Sequence, residues 1–124
     1  MSKLIHKDEA YFIVGLCMEV HNTLGKGFSE AVYAEALEIE LKQNGVPYKK
    51  EVKFKIKYKD TLLKKSYCAD LVIDDKIILE LKAVEAIHSN HVKQTLNYLA
   101  VSGLKLGLII NFGEDRLAYK RVVL

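Results

Sequence analysis

In the first part of the chain apolar residues recur every three or four positions: Ala10, Ile13, Val14, Cys17, Val20, His21 and Leu24. This spacing predicts an amphipathic helix over about residues 8–24, with Asp8 as its N-cap and Gly25-Lys26-Gly27 as its stop. A second helix is predicted from about Ser29 to Asn44, ending at Gly45 ahead of Pro47. From Val52 the period changes to two, as Val52, Phe54, Ile56 and Tyr58 alternate with Lys53, Lys55, Lys57 and Lys59. That is a strand with one buried and one basic face. Two further strands are predicted at about 66–73 and 76–82, then a helix near 90–102 closed by Gly103. The apolar run from Leu106 to Phe112 reads as a strand covered on both faces, and 116–123 as a last, edge strand. This order of elements makes an α/β protein, a mixed sheet flanked by helices.

The same pattern sets the pairing register. Tyr67, Ala69, Leu71 and Ile73 form one apolar face of the second strand, and Ile77, Leu79 and Leu81 one face of the third. Bringing these faces together pairs Ile73 with Ile77 and Leu71 with Leu79, and therefore Asp70 with Glu80 and Cys68 with Lys82. It requires a three-residue connection, Asp74-Asp75-Lys76, or a bulge; a plain two-residue turn would put the carboxylates on opposite faces. Directly opposed carboxylates have Cβ atoms roughly 5 Å apart and repel one another, so a compensating charge is expected. Lys82 offers one, and hard oxygen ligands so placed also match Mg²⁺. A carboxylate followed by a Glu-x-Lys triplet on the next strand is the layout of a divalent-metal site that hydrolyses phosphodiesters. Acidic-x-Lys alone is common on wet strand faces, but Val72 and Ile78 share this one, which predicts a covering helix.

On the second helix Glu30, Tyr33, Ala34, Leu37 and Leu41 form the core-facing stripe, so Glu30 is expected to point inward. It reads either as a first-turn acid favoured by the helix dipole or as a third acidic residue at the site, braced by Tyr33. On the later helix Val92, Leu96 and Leu99 make the apolar stripe, while Gln94 and Tyr98 share another side, where both could hydrogen-bond a phosphate or position a lysine. His21 reads as a hydrogen-bonded core histidine. His88 and His91 could approach the site, but their spacing without a third ligand is poor ground for zinc.

Composition changes this picture little. A chain of 124 residues, half of them hydrophobic, with a formal charge of +3, is expected to be one globular domain over residues 1–124. Cys17 and Cys68 make no metal-binding spacing and suit reduced thiols in a cytoplasmic protein. The segment Met1 to Asp8 lacks the apolar run of a signal peptide, and no stretch is long and apolar enough to span a membrane. Lysines crowd one region, with Lys49, Lys50, Lys64 and Lys65 flanking the alternating set, whereas arginine appears only as Arg116 and Arg121. The face formed by Lys53, Lys55 and Lys57 could track phosphates, and it equally suits an edge strand guarding against stray pairing.

Taken together these segments resemble a known family. Gly27-Phe28-Ser29-Glu30-Ala31-Val32-Tyr33 matches the motif that names the GxxExxY family, a branch of the PD-(D/E)XK nuclease superfamily. Val20 to Gly25, Ala69 to Val72, Glu80 to Glu85, Gln94 to Leu99 and Gly107 to Phe112 resemble that family in the same order, so the likeness covers nearly the whole chain. It implies an αβββαβ restriction-endonuclease-like core with an extra N-terminal helix and a C-terminal edge strand. It also implies Asp70 and Glu80 as metal ligands, Lys82 as the catalytic lysine, Glu30 as the acid from the helix, and Gln94 with Tyr98 as a RecB-like helix motif. Two positions depart from the pattern: Ala69 stands where the superfamily has proline before its aspartate, and Lys26 where a proline often lies between the two glycines. Neither removes a reacting group.

The expected activity is therefore hydrolysis of phosphodiester bonds with Mg²⁺ or Mn²⁺, on DNA ahead of RNA. Glu30, Asp70 and Glu80 would hold the ion, and Lys82 would activate water or stabilise the transition state. The alternative is a catalytically inactive nucleic-acid-binding or protein-interaction module on the same fold. A domain this small has little room for substrate recognition, which leaves a homodimer or a partner protein open.

Overall fold

A computed structural model describes residues 4–124; the part of the leader reading that rests on Met1-Ser2-Lys3 lies outside them. The elements follow the expected order: α1 (Lys7–Leu24), α2 (Glu30–Gln43), β1 (Tyr48–Tyr58), β2 (Thr61–Ile73), β3 (Ile77–Lys82), α3 (Ser89–Ser102), β4 (Leu106–Asn111) and β5 (Ala118–Val123). The strands form a five-stranded mixed sheet in the order β1-β2-β3-β4-β5. Only β3 and β4 are parallel, joined by α3 as the crossover, and every other pair is antiparallel.

The helices cover both faces. On one side Ile13, Val14 and Cys17 of α1 and Tyr33, Leu37 and Leu41 of α2 pack on Leu71, Ile73, Leu79, Leu81, Leu108 and Phe112. On the other, Tyr98 and Leu99 of α3 pack on Val72, Ile78, Ile109 and Val122. All of β4 is buried, as its unbroken apolar run predicts. No helix of the described residues is long and apolar enough to cross a membrane.

Three expectations are corrected. His6, in a left-handed conformation, is the N-cap of α1, and Asp8 sits inside the first turn, where the helix dipole favours it. β1 and β2 begin earlier than expected, because Tyr48 to Glu51 and Thr61 to Lys65 lack the alternation that marks a strand with one buried face. Finally, Tyr67 and Ala69 do not continue the apolar face of Leu71 and Ile73. They pack with Val52 and Phe54 on the α3 side. The face changes at Asp70, where the β1–β2 ladder skips the pair formed with Glu51, and Glu51 has a φ of +53°.

Candidate functional site

β2 and β3 pair as Ile73 with Ile77, Val72 with Ile78 and Leu71 with Leu79, the register expected from their apolar residues, and Asp74, Asp75 and Lys76 connect them. The next pair would be Asp70 with Glu80, and there the ladder ends. The Asp70 backbone N–H donates to Glu80 Oε1 at 3.2 Å, and the Leu81 N–H donates to Asp70 Oδ2 at 2.8 Å. Side-chain oxygens thus take over from backbone carbonyls, and the strands part around two carboxylates. Cys68 and Lys82 are consequently not partners; Cys68 is exposed and pairs with Lys53 on β1.

Glu80 is buried, only 3 % exposed. Burial pushes its carboxyl up to about 9; the Asp70 carboxylate adds to that push, and Lys82 opposes it only weakly. Tyr98 feels the same field: burial, then Glu80 and Asp70, raise its hydroxyl to about 12, so it stays a neutral donor. Lys82 is half-buried at the end of β3, and among the described residues no carboxylate lies within ion-pair distance of it. At neutral pH Glu80 therefore holds a proton, and this proton, more than Lys82, relieves the repulsion from Asp70.

The other expected residues separate. Glu30 is exposed at the first turn of α2, not directed into the core, and its Oε2 accepts the Ala83 N–H at 3.2 Å, just past Lys82. Tyr33 is fully buried, stacked on Phe112 with ring centroids 4.4 Å apart. Its hydroxyl donates to the Gly25 carbonyl and accepts the Phe28 N–H, so it fixes the loop leading into α2 and braces neither Glu30 nor the carboxylates. Tyr98 is a core residue packed against Tyr67 on the same side as Leu99, not on a face of its own with Gln94, which is exposed one turn earlier. His91 lies close enough to Lys82 and Glu30 to feel both charges, and its ring Nδ1 accepts the His88 N–H in a capping box. Lys53, Lys55 and Lys57 are exposed on one face of β1. A groove of about 650 Å³ runs from Asp70 beneath α2, walled by Glu30, Glu35, Glu38, Lys50 and Glu51.

Asn111 is a supporting residue that apolar periodicity passes over. Fully buried at the end of β4, its Oδ1 accepts the N–H groups of Val84 and Gly113, each at 3.0 Å, and its Nδ2 donates to the Val84 carbonyl and Glu114. These bonds tie the segment after Lys82 to β4. Gly113 sits so close that a Cβ there would overlap the backbone of Ala83 and Val84. His21 is the buried, hydrogen-bonded histidine expected, its Nε2 lying 2.9 Å from the Glu114 carbonyl oxygen. Lys26 pairs with Asp115 at 2.7 Å, which gives the lysine at that position a structural use. The signal for Asn111 was present in the sequence as one amide ending an otherwise apolar run.

The donor set suits a hard divalent cation. Two carboxyl groups that face each other within hydrogen-bond reach, each also held by a backbone N–H, fit an ion that takes one or two carboxylates and keeps its waters once the proton on Glu80 is released. Among the described residues no three His, Cys, Asp or Glu side chains converge into a ligand group, so the expected trio of Asp70, Glu80 and Glu30 reduces to a facing pair with Glu30 set apart on Ala83.

A mixed five-stranded sheet with helices on both faces is the architecture of the restriction-endonuclease-like fold. The chain belongs to the PD-(D/E)XK nuclease superfamily, whose family model matches residues 7–122. Members of this superfamily generally use divalent metals and act on nucleic acid. Among solved structures the chain is similar to the crystal structure of SSO0001, with a TM-score of 0.61 and 22% identity. The match covers 75% of this chain and 50% of that one, so this chain spans about half the length of that protein, and the likeness is one of fold. No curated protein matches the sequence.

Proposed function

We propose that this protein is a nuclease that hydrolyses phosphodiester bonds, DNA ahead of RNA, with Asp70 and Glu80 holding Mg²⁺ or Mn²⁺ and Lys82 acting on the water or the developing oxyanion. The observation that carries this reading is the pair of carboxyl groups at the end of the β2–β3 ladder, each held by a backbone N–H of the other strand and one of them, Glu80, buried. A fold that keeps two such groups together with only a proton to relieve their repulsion is poised to exchange that proton for a cation. When bound, a divalent ion supplies charge stabilisation and lowers the pKa of water. Asp70 and Glu80 orient their oxygens through the Leu81 and Asp70 N–H groups, and Lys82 brings the one positive side chain of β3 to the same end of the strand. Asn111 and Glu30 hold the backbone just beyond Lys82, which keeps that lysine in place. Tyr98 supplies a neutral hydroxyl beside Glu80.

The stretch from Gly27 to Tyr33 supports placing the protein in the GxxExxY branch of the superfamily. The free thiols of Cys17 and Cys68 support a cytoplasmic protein. The test is cleavage of linear, circular and single-stranded DNA and of RNA with Mg²⁺ and Mn²⁺ by wild type and by Asp70→Ala, Glu80→Ala and Lys82→Ala. Each substitution is expected to lower the rate by about a hundredfold or more. Variants that cut as well as wild type would assign the activity elsewhere.

A further inference from the structure

β3, β4 and β5 are each 6 residues long, whereas β1 runs for 11 and β2 for 13. β2 meets β3 only at Leu71, Val72 and Ile73, so the stretch from Thr61 to Ala69 is paired with β1 alone and overhangs the sheet. The base of this ribbon is anchored, because Val52, Phe54 and Tyr67 pack with the α3-side cluster. Beyond it, every residue from 57 to 65 is exposed, including Tyr58 at 61% and Leu62 at 63%. A two-stranded ribbon without a covered face adds little stability in water, and its exposed apolar tip adds none. The overhang is not explained by the needs of the fold.

We propose that this overhang is an arm that grips the nucleic-acid backbone flanking the Asp70–Glu80 site; the proposal rests on the nuclease reading for the nature of its partner. Its charge selects a polyanion. Lys53, Lys55, Lys57, Lys59, Lys64 and Lys65 face solvent against the single acid Asp60 of the tip, and among the described residues none of the six lies within ion-pair distance of a carboxylate. Lys26, Lys49, Lys50 and Lys76 have acidic partners while Lys42, Lys93, Lys105 and Lys120 stand singly elsewhere, so what marks the ribbon is the crowding of six unpaired lysines on one element. Protection of an edge accounts for lysines on both strands of the overhang, since β2 is also an edge before Asp70, but not for leaving Tyr58 and Leu62 bare at the tip.

The geometry also suits the task. β2 is one strand from the tip to Asp70, which places Lys64 about 20 Å along it from the carboxylate, within reach of several successive phosphates. The register shifts between Lys55 and Lys57, and such irregularities twist a ribbon and re-aim its side chains. On the α2 side the groove at Asp70 is walled by Glu30, Glu35, Glu38 and Glu51, whose charge Lys42 and Lys50 offset only in part, so it repels a phosphate backbone and leaves the ribbon as the attractive way out of the site. A symmetric contact between two arms of two copies would set lysine against lysine.

Binding is tested without catalysis, in the Asp70→Ala background, with a long fluorescent DNA duplex across a salt series. Replacing Lys57, Lys59, Lys64 and Lys65 by glutamine is expected to weaken binding by about tenfold or more and to reduce the slope of log affinity against log salt by about 3. The charge-reversed set should weaken it further. All four side chains are exposed, so thermal unfolding should be unchanged. Equal affinity and equal slope overturn the arm. So does a change in sedimentation with duplex binding intact, which would assign the ribbon to a second copy. If wild type cuts nothing while duplex binding still depends on these lysines, the nuclease reading fails and the arm stands.

Discussion

Asp70 Oδ2 accepts the Leu81 N–H at 2.8 Å while Glu80 Oε1 accepts the Asp70 N–H at 3.2 Å, so these two side chains replace the backbone ladder where β2 and β3 part. Each carboxylate is thereby oriented by the main chain, independently of any bound ion. The arrangement is costly, because charge–charge repulsion is added to the burial of Glu80. Sites that retain such costs are commonly functional.

The cost should be visible in pH-dependent stability. Glu80 titrates near 9 in the fold, against about 4.3 in an unfolded chain. Between those values the native state holds a proton that the unfolded state has released, so the metal-free protein should lose stability as pH rises through that window. Below it the penalty is absent. Glu80→Gln should flatten the profile and, near pH 8, be more stable than wild type by about 1 to 3 kcal/mol. Thermal unfolding across pH measures this, and parallel profiles for the two proteins would show that Glu80 is ionised in the fold.

Tyr33→Phe separates structure from chemistry. The variant keeps the stack on Phe112 but loses the bonds to Gly25 and Phe28. Chemical denaturation should show a loss of about 1 to 2 kcal/mol. Cleavage at saturating substrate should stay within about threefold of wild type, whereas a hydroxyl that took part in the reaction would be worth about a hundredfold.

Asn111→Ala should be the more damaging change. It leaves buried backbone groups of Val84 and Gly113 without partners, at a cost of about 2 to 4 kcal/mol. Because the same bonds hold the segment behind Lys82, cleavage should fall even where the protein remains folded. Denaturation midpoint and cleavage rate, measured on one preparation, test both halves of this expectation.

The residues that meet at the site were legible because apolar side chains fix register: Ile73 with Ile77 and Leu71 with Leu79 leave Asp70 opposite Glu80. The face change at Asp70 was not, since alternation assumes a regular pleat and Glu51 breaks it with a left-handed φ. Glu30 misled for a related reason. A stripe rule describes the middle of a helix, and this residue begins one, free to turn its carboxylate toward Ala83. Tyr98 was read by its hydroxyl, but its ring decided its place in the core. Of the overhang, the β1 side was visible as the alternation of Val52, Phe54 and Ile56 with lysines, but the β2 side from Thr61 to Lys65 went unseen because it is exposed throughout and prints no period on the sequence.

The most direct test of the account is the single-turnover rate of DNA cleavage with Mn²⁺ by Lys82→Ala beside wild type. This substitution leaves Asp70, Glu80 and their backbone hydrogen bonds untouched and removes only the positive side chain. The expected rate is about a hundredfold lower or more. Equal rates would contradict the assignment of Asp70, Glu80 and Lys82 as one nuclease site.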